Sequence, residues 1–452
     1  MNGMTQSERK ATSILASIFA LRMLGLFMII PVFALYGQKL EGATPALIGL
    51  AIGIYGLTQA VLQIPVGLWA DRINRKLLII IGLILFAIGG AVAAMSHSIW
   101  GVILGRAIQG AGAISAVVMA LLADLTREEQ RTKAMSTIGM SIGMSFAVAF
   151  ILGPLVAGHF GLSGLFWATS VLAILGLSLL HLVPQPTVII KQHHDSYWQQ
   201  FKQSLLHPEL ARLNAGIFIL HLVMTASFVL LPHLLIEYAH LPASQHGWVY
   251  LPIVLGGFIA AVPAIIIAEK RRKIKQVFVF GISLMVLSLL VLAREYQHYW
   301  GLLFGISLFF IAFNLLEALL PSLLSKIAPV GTKATAMGIY SSSQFLGAFF
   351  GGICGGVLWA KHDITLAYIC LAILSLMWVL LAVFMRSPRF LHSMMLNIPS
   401  CNSQQASQLL SKLQAIIGVE EAVVLAQEGV IYLKIDKNKL NEKDLQQILI
   451  SC

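Results

Sequence analysis

The chain has 452 residues, of which 58% are apolar and only 11% charged, and its mean hydropathy is +0.85. Soluble domains carry about 25% charged residues, so composition excludes an ordinary soluble fold. A net charge of +11 would suggest a nucleic-acid partner in a soluble chain, but its distribution here points elsewhere.

Segments of 18 or more mostly apolar residues read as membrane helices. Twelve occur, at 12–37, 46–70, 76–96, 99–123, 135–158, 161–183, 213–237, 247–268, 276–293, 300–325, 335–360 and 364–386. They predict an all-α polytopic membrane protein with two six-helix bundles, 1–183 and 213–388. A linker at 184–212 joins the bundles, and a small α+β domain follows at 389–452. The first apolar run is too long for a cleaved signal peptide, contains Arg22 and has no small-residue cleavage site.

With a cytoplasmic N-terminus, twenty Lys and Arg up to Arg389 fall in cytoplasmic segments. Three fall on the other side: Lys39, Arg294 and Lys361. This asymmetry is the positive-inside pattern and predicts that both termini are cytoplasmic. The basic excess is thus a topology signal with anionic-lipid contact, not a nucleic-acid footprint.

The second span ends in Pro65-Val-Gly67-Leu-Trp-Ala-Asp71-Arg72-Ile-Asn-Arg75-Lys76, a charged turn too short to leave the membrane surface. The eighth span ends similarly, in Pro263-Ala-Ile-Ile-Ile-Ala-Glu269 followed by Lys270, Arg271, Arg272 and Lys273. After the fourth and tenth spans come Thr132-Lys-Ala-Met135 and Thr332-Lys-Ala-Thr-Ala-Met337. The halves therefore repeat, and repeated bundles with a site at their interface are a transporter architecture. In the linker, Tyr197, Trp198, Phe201, Leu205 and Leu206 lie at helical spacing. They mark either an amphipathic helix at the headgroups or a plain linker helix.

Ionisable residues deep in hydrocarbon are costly and point to function. Arg22 is in the first span, Arg106 in the fourth, His221 and His233 in the seventh, and Glu317 in the tenth. At 1.5 Å per residue, Arg22 lies about 15 Å from the inner start of its span and Glu317 about 25 Å from the outer start of its own. Arg106 lies about 10 Å in from the outer face. Long side chains at the depths of Arg22 and Glu317 could meet in one cavity. Tyr55, Gln59 and Gln63 recur every four residues and mark a polar face of the second span. Asn314 shares the face of Glu317, and Gln344 and Gln109 add polarity on the eleventh and fourth spans. Phe313, Phe345, Met23 and Met28 are candidates for apolar cavity contacts or ordinary packing.

Several roles stay open at this level. Glu317 is a candidate proton carrier, the partner of a static ion pair, or a substrate contact. Arg106 is positioned to bond carbonyls of the first span. His221 and His233 bind substrate, relay protons or are polar packing. Asp124 is the best partner for Arg75. No phosphate loop, catalytic constellation or metal-ligand spacing is present, so no enzyme, cofactor or metal is implied, and ATP is not the expected energy source.

Gly67-Leu-Trp-Ala-Asp71-Arg72-Ile-Asn-Arg75-Lys76 resembles motif A of the major facilitator superfamily, with Asn74 at a usual glycine. Arg106-Ala-Ile-Gln109-Gly110-Ala-Gly112 resembles motif B. Gly143, then Gly153-Pro154-Leu-Val-Ala-Gly158, resembles motif C of drug/proton antiporters. The resemblance covers about residues 10–386. It implies a proton-coupled antiporter exporting small amphipathic molecules by alternating access, in a bacterial inner membrane. It also implies that Gly67, Asp71, Arg72, Arg75 and Asp124 form a switch latching the outward-open state, and that Arg106 takes part in proton coupling. In the family the first, fourth, seventh and tenth spans line the central cavity. Pro154 is expected to kink the fifth span. Proton symport for nutrient uptake shares this fold. A membrane sensor or scaffold acting through the tail is the reading from another class.

In the tail, Phe390–Ile398, Val419–Ala426 and a segment around Ile431–Ile435 are predicted strands, and Ser403–Ile417 a helix. Asn441 with Asp444 marks a second helix. The order β-α-β-β-α is ferredoxin-like without a final strand. It resembles heavy-metal-associated domains in topology only, because Cys401 stands without a CxxC. Self-association or docking onto 184–212 is the expected role for so small a core.

Overall fold

The structure is a computed structural model and describes residues 3–70, 73–184, 197–329, 333–387, 392–398, 403–425, 430–435 and 439–440. Helix α1, Gln6–Tyr36, starts in a capping box. The Thr5 hydroxyl accepts from the Glu8 amide, and the Glu8 carboxylate accepts from the Thr5 amide at 2.7 Å. Helix α2, Pro45–Trp69, is capped by Thr44 and has proline in its first turn, where no intrahelical donor is missed. Asn74 caps α3, Arg75–Met95, which explains how a residue other than glycine holds that turn. Helices α4, Ile99–Ala111, and α5, Ser115–Asp124, form one span broken between Gly112 and Ile114.

Helix α6, Glu128–Leu180, is too long for one crossing, since about 20 residues span the hydrocarbon. It is two spans end to end. The residue that leaves helical angles is Gly161, at φ 67°, a left-handed conformation that side chains disfavour. The helix runs through Pro154, and Gly161 marks the turn between the fifth and sixth spans. With α6 counted twice, the bundle has twelve crossings. The second six are α8 (Pro208–Glu237), α9 (His246–Lys270), α10 (Ile274–Glu295), α11 (Tyr299–Ile327), α12 (Lys333–Ala360) and α13 (Ile364–Val383). Helix α7, Tyr197–Leu206, packs against α8 and α12 and leaves Leu205 and Leu206 exposed.

Both ends of this twelve-helix array lie at one face, here the near face; the opposite is the far face. The two bundles meet along α2 with α12, α6 with α9, and α1 with α8. At the far end the contact is close enough to exclude side chains. A Cβ on Gly53 of α2 would lie 2.6 Å from the Phe349 carbonyl oxygen of α12. A Cβ on Gly247 would lie 3.0 Å from the Phe150 carbonyl oxygen of α6. Toward the near face the same helices part. A Cβ on Gly139 or Gly143 of α6, or on Gly338 of α12, would meet nothing within 4 Å. Packing of α5 is with helices of its own bundle. The bundles are thus packed tightly toward the far face and more loosely toward the near one.

The tail forms strands β1 (His392–Asn397), β2 (Val419–Leu425) and β3 (Val430–Ile435), with α14 (Ser403–Gln414) after β1. Sheet order is β1-β3-β2, with β3 antiparallel to both neighbours. This is a split β-α-β arrangement. Leu409, Leu413 and Ile416 pack on Ala422, Ile431, Leu433 and Ile435. The second tail helix expected near Asn441 lies outside the described residues. Docking was expected on the 184–212 linker. The contact seen is with α11: Lys434, 5% exposed, donates to the Ala328 carbonyl at 2.6 Å and lies 3.4 Å from Glu421. An ammonium there complements the negative end of the helix dipole.

Candidate functional site

Helix α8 is buried almost all round and brings two histidines into the interior, whereas α9 is mostly exposed. On α8, His221 Nδ1 lies 3.3 Å from the Ile217 carbonyl oxygen. A carbonyl can only accept, so Nδ1 carries the proton and Nε2 accepts. The donor to Nε2 is Gln344 Nε2 of α12, at 2.8 Å. The same amide nitrogen reaches Glu317 Oε1 of α11 at 3.4 Å. Glu317 Oε2 is 3.9 Å from His221 Nε2 and has no hydrogen-bond partner. The Glu317 side chain is 38% exposed. Phe313, one turn earlier, is 6.0 Å from the His221 ring and stacks at 6.1 Å on Phe146 of the opposite bundle. Tyr55 and Phe345 make a second ring contact between bundles, at 6.3 Å. Phe150 adds ring contacts across the same seam, to Phe228, Tyr250 and Phe310.

Across the cavity, Arg22 of α1 is 1% exposed. Its guanidinium donates to Ser115 Oγ at 3.2 Å, Tyr55 OH at 3.0 Å, Gln59 Oε1 at 2.9 Å and the Gly112 carbonyl at 2.8 Å. Gln59 in turn donates to Gln63 at 2.9 Å. The polar face of α2 therefore holds Arg22 rather than standing free in the cavity. All four partners of Arg22 are neutral. Among the described residues no ion pair joins Arg22 to Glu317, so the two do not meet. A buried cation and a carboxylate on opposite bundles each lack a counter-ion. Such uncompensated groups cost free energy unless a proton or ligand completes them.

Arg106 of α4 lies deeper in the N-terminal bundle. It donates to the Ala51 and Ile52 carbonyls of α2, both at 3.3 Å, and to Gln109 at 3.2 Å. The carbonyls belong to α2, not to the first span as the sequence suggested. Gln109, fully buried, donates to Thr169 of α6 at 2.9 Å, so it braces the bundle instead of lining the cavity. Asn314 donates to the Val254 carbonyl of α9 at 3.3 Å, which ties it to its own bundle. Met23 and Met28 are core. His233 is remote from Glu317, at the far end of α8, where it meets Gln38 and Trp359.

At the near face Arg75 pairs with Asp124 and donates to the Ala70 and Ala120 carbonyls, each at 3.2 Å. A Cβ on Gly67 would sit 3.8 Å from the Ala116 methyl. Asp71 and Arg72 lie outside the described residues. In the C-terminal bundle Glu269 is held by Lys326 at 2.8 Å and Ser322 at 2.6 Å. Of the motif C residues, Gly153 abuts the Met28 carbonyl and Gly158 the Ser244 side chain, while Gly143 faces open space.

Sequence reasoning did not find Ser115, the Gly112 carbonyl, Thr169, Lys326 as the partner of Glu269, or Gln38. Ser115 and Gly112 carry a retrievable signal: a glycine, then a serine, interrupting an apolar span beside motif B. Gln38 has none, since it meets its partner nearly two hundred residues away.

A sequence profile described as Major Facilitator Superfamily matches residues 15–275 and 213–393. The chain is 47% identical over 448 residues to the inner membrane transport protein YajR of Escherichia coli, covering 99% of this chain and 98% of that one. It is 28% identical over 356 residues to the quinolone resistance protein NorA of Staphylococcus aureus, covering 75% and 87%. Among solved structures, a D-xylose-proton symporter matches at TM-score 0.70 and 15% identity, covering 84% of this chain and 98% of that one, a likeness of fold alone. A multi-pass chain of two six-helix bundles with these relatives belongs to the Major Facilitator Superfamily and is a transporter.

Proposed function

We propose that this protein is a proton-coupled exporter of small amphipathic molecules, working by alternating access in a bacterial inner membrane. The basic residues crowd the near face, which the positive-inside pattern makes cytoplasmic. The cavity then opens to the cytoplasm, ready to load. Its walls combine aromatic rings with a few polar groups, which suits molecules with an apolar body and a polar end.

The observation that carries proton coupling is Glu317. Its side chain is part-exposed, one carboxylate oxygen is buried without a partner, and among the described residues no Lys or Arg pairs with it. A carboxylate so placed is stabilised by a proton, and by water when the cavity opens to the other side. Gln344 and His221 hold it in place without neutralising it. Arg22 supplies fixed positive charge on the other wall, and Arg106 stiffens the helix that carries Tyr55. Export is favoured over uptake by the likeness to a relative named for quinolone resistance. The tail is a regulatory accessory docked at α11.

The test is transport in liposomes under an imposed proton gradient, with a panel of labelled amphipathic compounds. Glu317→Gln is expected to abolish gradient-driven accumulation while keeping ligand binding. Accumulation that ignores the gradient, or survives Glu317→Gln unchanged, removes Glu317 as carrier.

A further inference from the structure

We propose that Gln38, His233 and Trp359 form the latch of the far gate, and that this latch holds only while His233 is uncharged. The proposal rests on alternating access but not on Glu317 as the carrier.

The geometry fixes the protonation of the ring. His233 Nδ1 lies 3.0 Å from the Val229 carbonyl oxygen, one turn back on α8, so Nδ1 carries the proton. Nε2 of the neutral ring is then an acceptor. Gln38 Nε2 donates to it at 2.6 Å. Gln38 follows α1 in the first bundle and His233 belongs to the second, so this bond crosses the seam that must part when the far face opens. Trp359 of α12 stacks on the ring at 4.0 Å, with the planes 26° apart.

The charged and titratable groups around it offer no compensation for a cation. On α9 stands buried His246, whose Nδ1 has no partner and whose Nε2 lies 3.1 Å from the Leu241 carbonyl oxygen. Beyond Trp359 is the His362 ring, 6.2 Å from the indole. Lys39, next to Gln38, places its ammonium over Tyr36. Glu237, one turn on along α8, is exposed. Among the described residues no carboxylate bonds to His233.

Protonation at Nε2 removes the acceptor that Gln38 uses. The amide can flip and offer its oxygen, but a cation then stays buried beside a second histidine and without an acid. Burying a charge in that way is expensive. Stacking on Trp359 offsets part of the penalty, as a cation on an aromatic face does. Opening the far gate hydrates the ring and removes it. A proton arriving from the far side therefore favours the state open to that side. His221, twelve residues earlier, repeats the same carbonyl and glutamine arrangement, but its glutamine is in its own bundle. Protonation there breaks no contact between bundles.

The test is the separation of spin labels at Glu41 and Lys361, both exposed at the far ends of the two bundles, in lipid nanodiscs. The four native cysteines are first replaced by serine. Lowering the pH from about 8 to about 5, across the histidine range, is expected to shift the distance distribution to longer values. His233→Gln should lose this response and stay short. Gln38→Ala should be long already at the higher pH. Gln38→Glu supplies the missing acid and should stay short at the lower pH, which keeps the test sound where His233→Gln fails to fold. Glu317→Gln should leave the response intact. A wild-type response in His233→Gln, opening of Gln38→Glu at acid pH, or a response lost only in Glu317→Gln would each overturn the proposal.

Discussion

Lys326 holds both carboxylate oxygens of Glu269, at 2.8 and 2.9 Å, and the arrangement is the charge-exchanged counterpart of Arg75 with Asp124. In the first bundle the base follows the second span and the acid ends the fourth. In the second bundle the acid ends the eighth span and the base ends the tenth. Each pair ties the same two helix ends together. The Arg75–Asp124 pair is intact. Like Lys326 with Glu269, it joins two helices of one bundle.

The two pairs differ in burial, and this sets their expected values. Arg75 and Asp124 are 13% and 10% exposed, against 22% and 40% for Lys326 and Glu269. Removing one partner of a buried pair leaves a charge without compensation and costs about 3 kcal/mol. A half-exposed pair contributes about 1 kcal/mol or less. Arg75→Ala should thus lower the thermal midpoint in detergent clearly more than Lys326→Ala. The exchange of Arg75→Asp with Asp124→Arg should recover most of the loss. Equal losses in the two single variants would mean that burial does not govern these pairs.

Closure of the far face depends on Gly53. Its missing side chain lets α2 approach the α12 backbone at Phe349. Gly53→Val should hold the far face open, so that a cysteine at Val229, buried where α8 packs on the first bundle, gains reactivity toward an impermeant maleimide from outside and transport stops. Gly143→Val, placed in open space, should leave that reactivity unchanged. No gain in the Gly53 variant would show that the helices can shift to admit a side chain.

Docking of the tail turns on Lys434. Lys434→Ala removes the donor to the Ala328 carbonyl and should speed amide hydrogen exchange in 430–435 without unfolding the membrane domain. Lys333, at the start of α12, adds a pH dependence. Burial, then the charges of Lys434 and Lys326, hold its ammonium below the usual lysine range. The Lys434 charge comes from the tail, so that part of the shift is lost on undocking, and docking tightens as pH rises through the lowered value. Lys333→Gln should slow exchange at neutral pH and remove that trend. Exchange indifferent to both variants would place the docking energy elsewhere.

The membrane class, the repeat and the number of crossings were legible because hydrocarbon imposes a length and a polarity that a sequence cannot hide. Arg22, Arg106, His221, His233 and Glu317 stood out for the same reason: each is an expensive residue in an apolar run. What each one does was not legible, since a side chain's role depends on what reaches it from another helix. Tyr55 and Gln59, on a polar face of the second span, turned out to clasp Arg22, with Gln63 behind Gln59. Gln109 and Asn314 read as cavity polarity and brace their own bundles. Gly161 marks the turn between the fifth and sixth spans, which the apolar runs had already separated. Local sequence thus determined where the chain crosses and which polar groups it buries. The tertiary structure alone decided which face is packed more loosely, which charges go without a partner, and that Gln38 and His233 meet across the seam. Those are relations between helices brought together by packing, and no spacing along one helix encodes them.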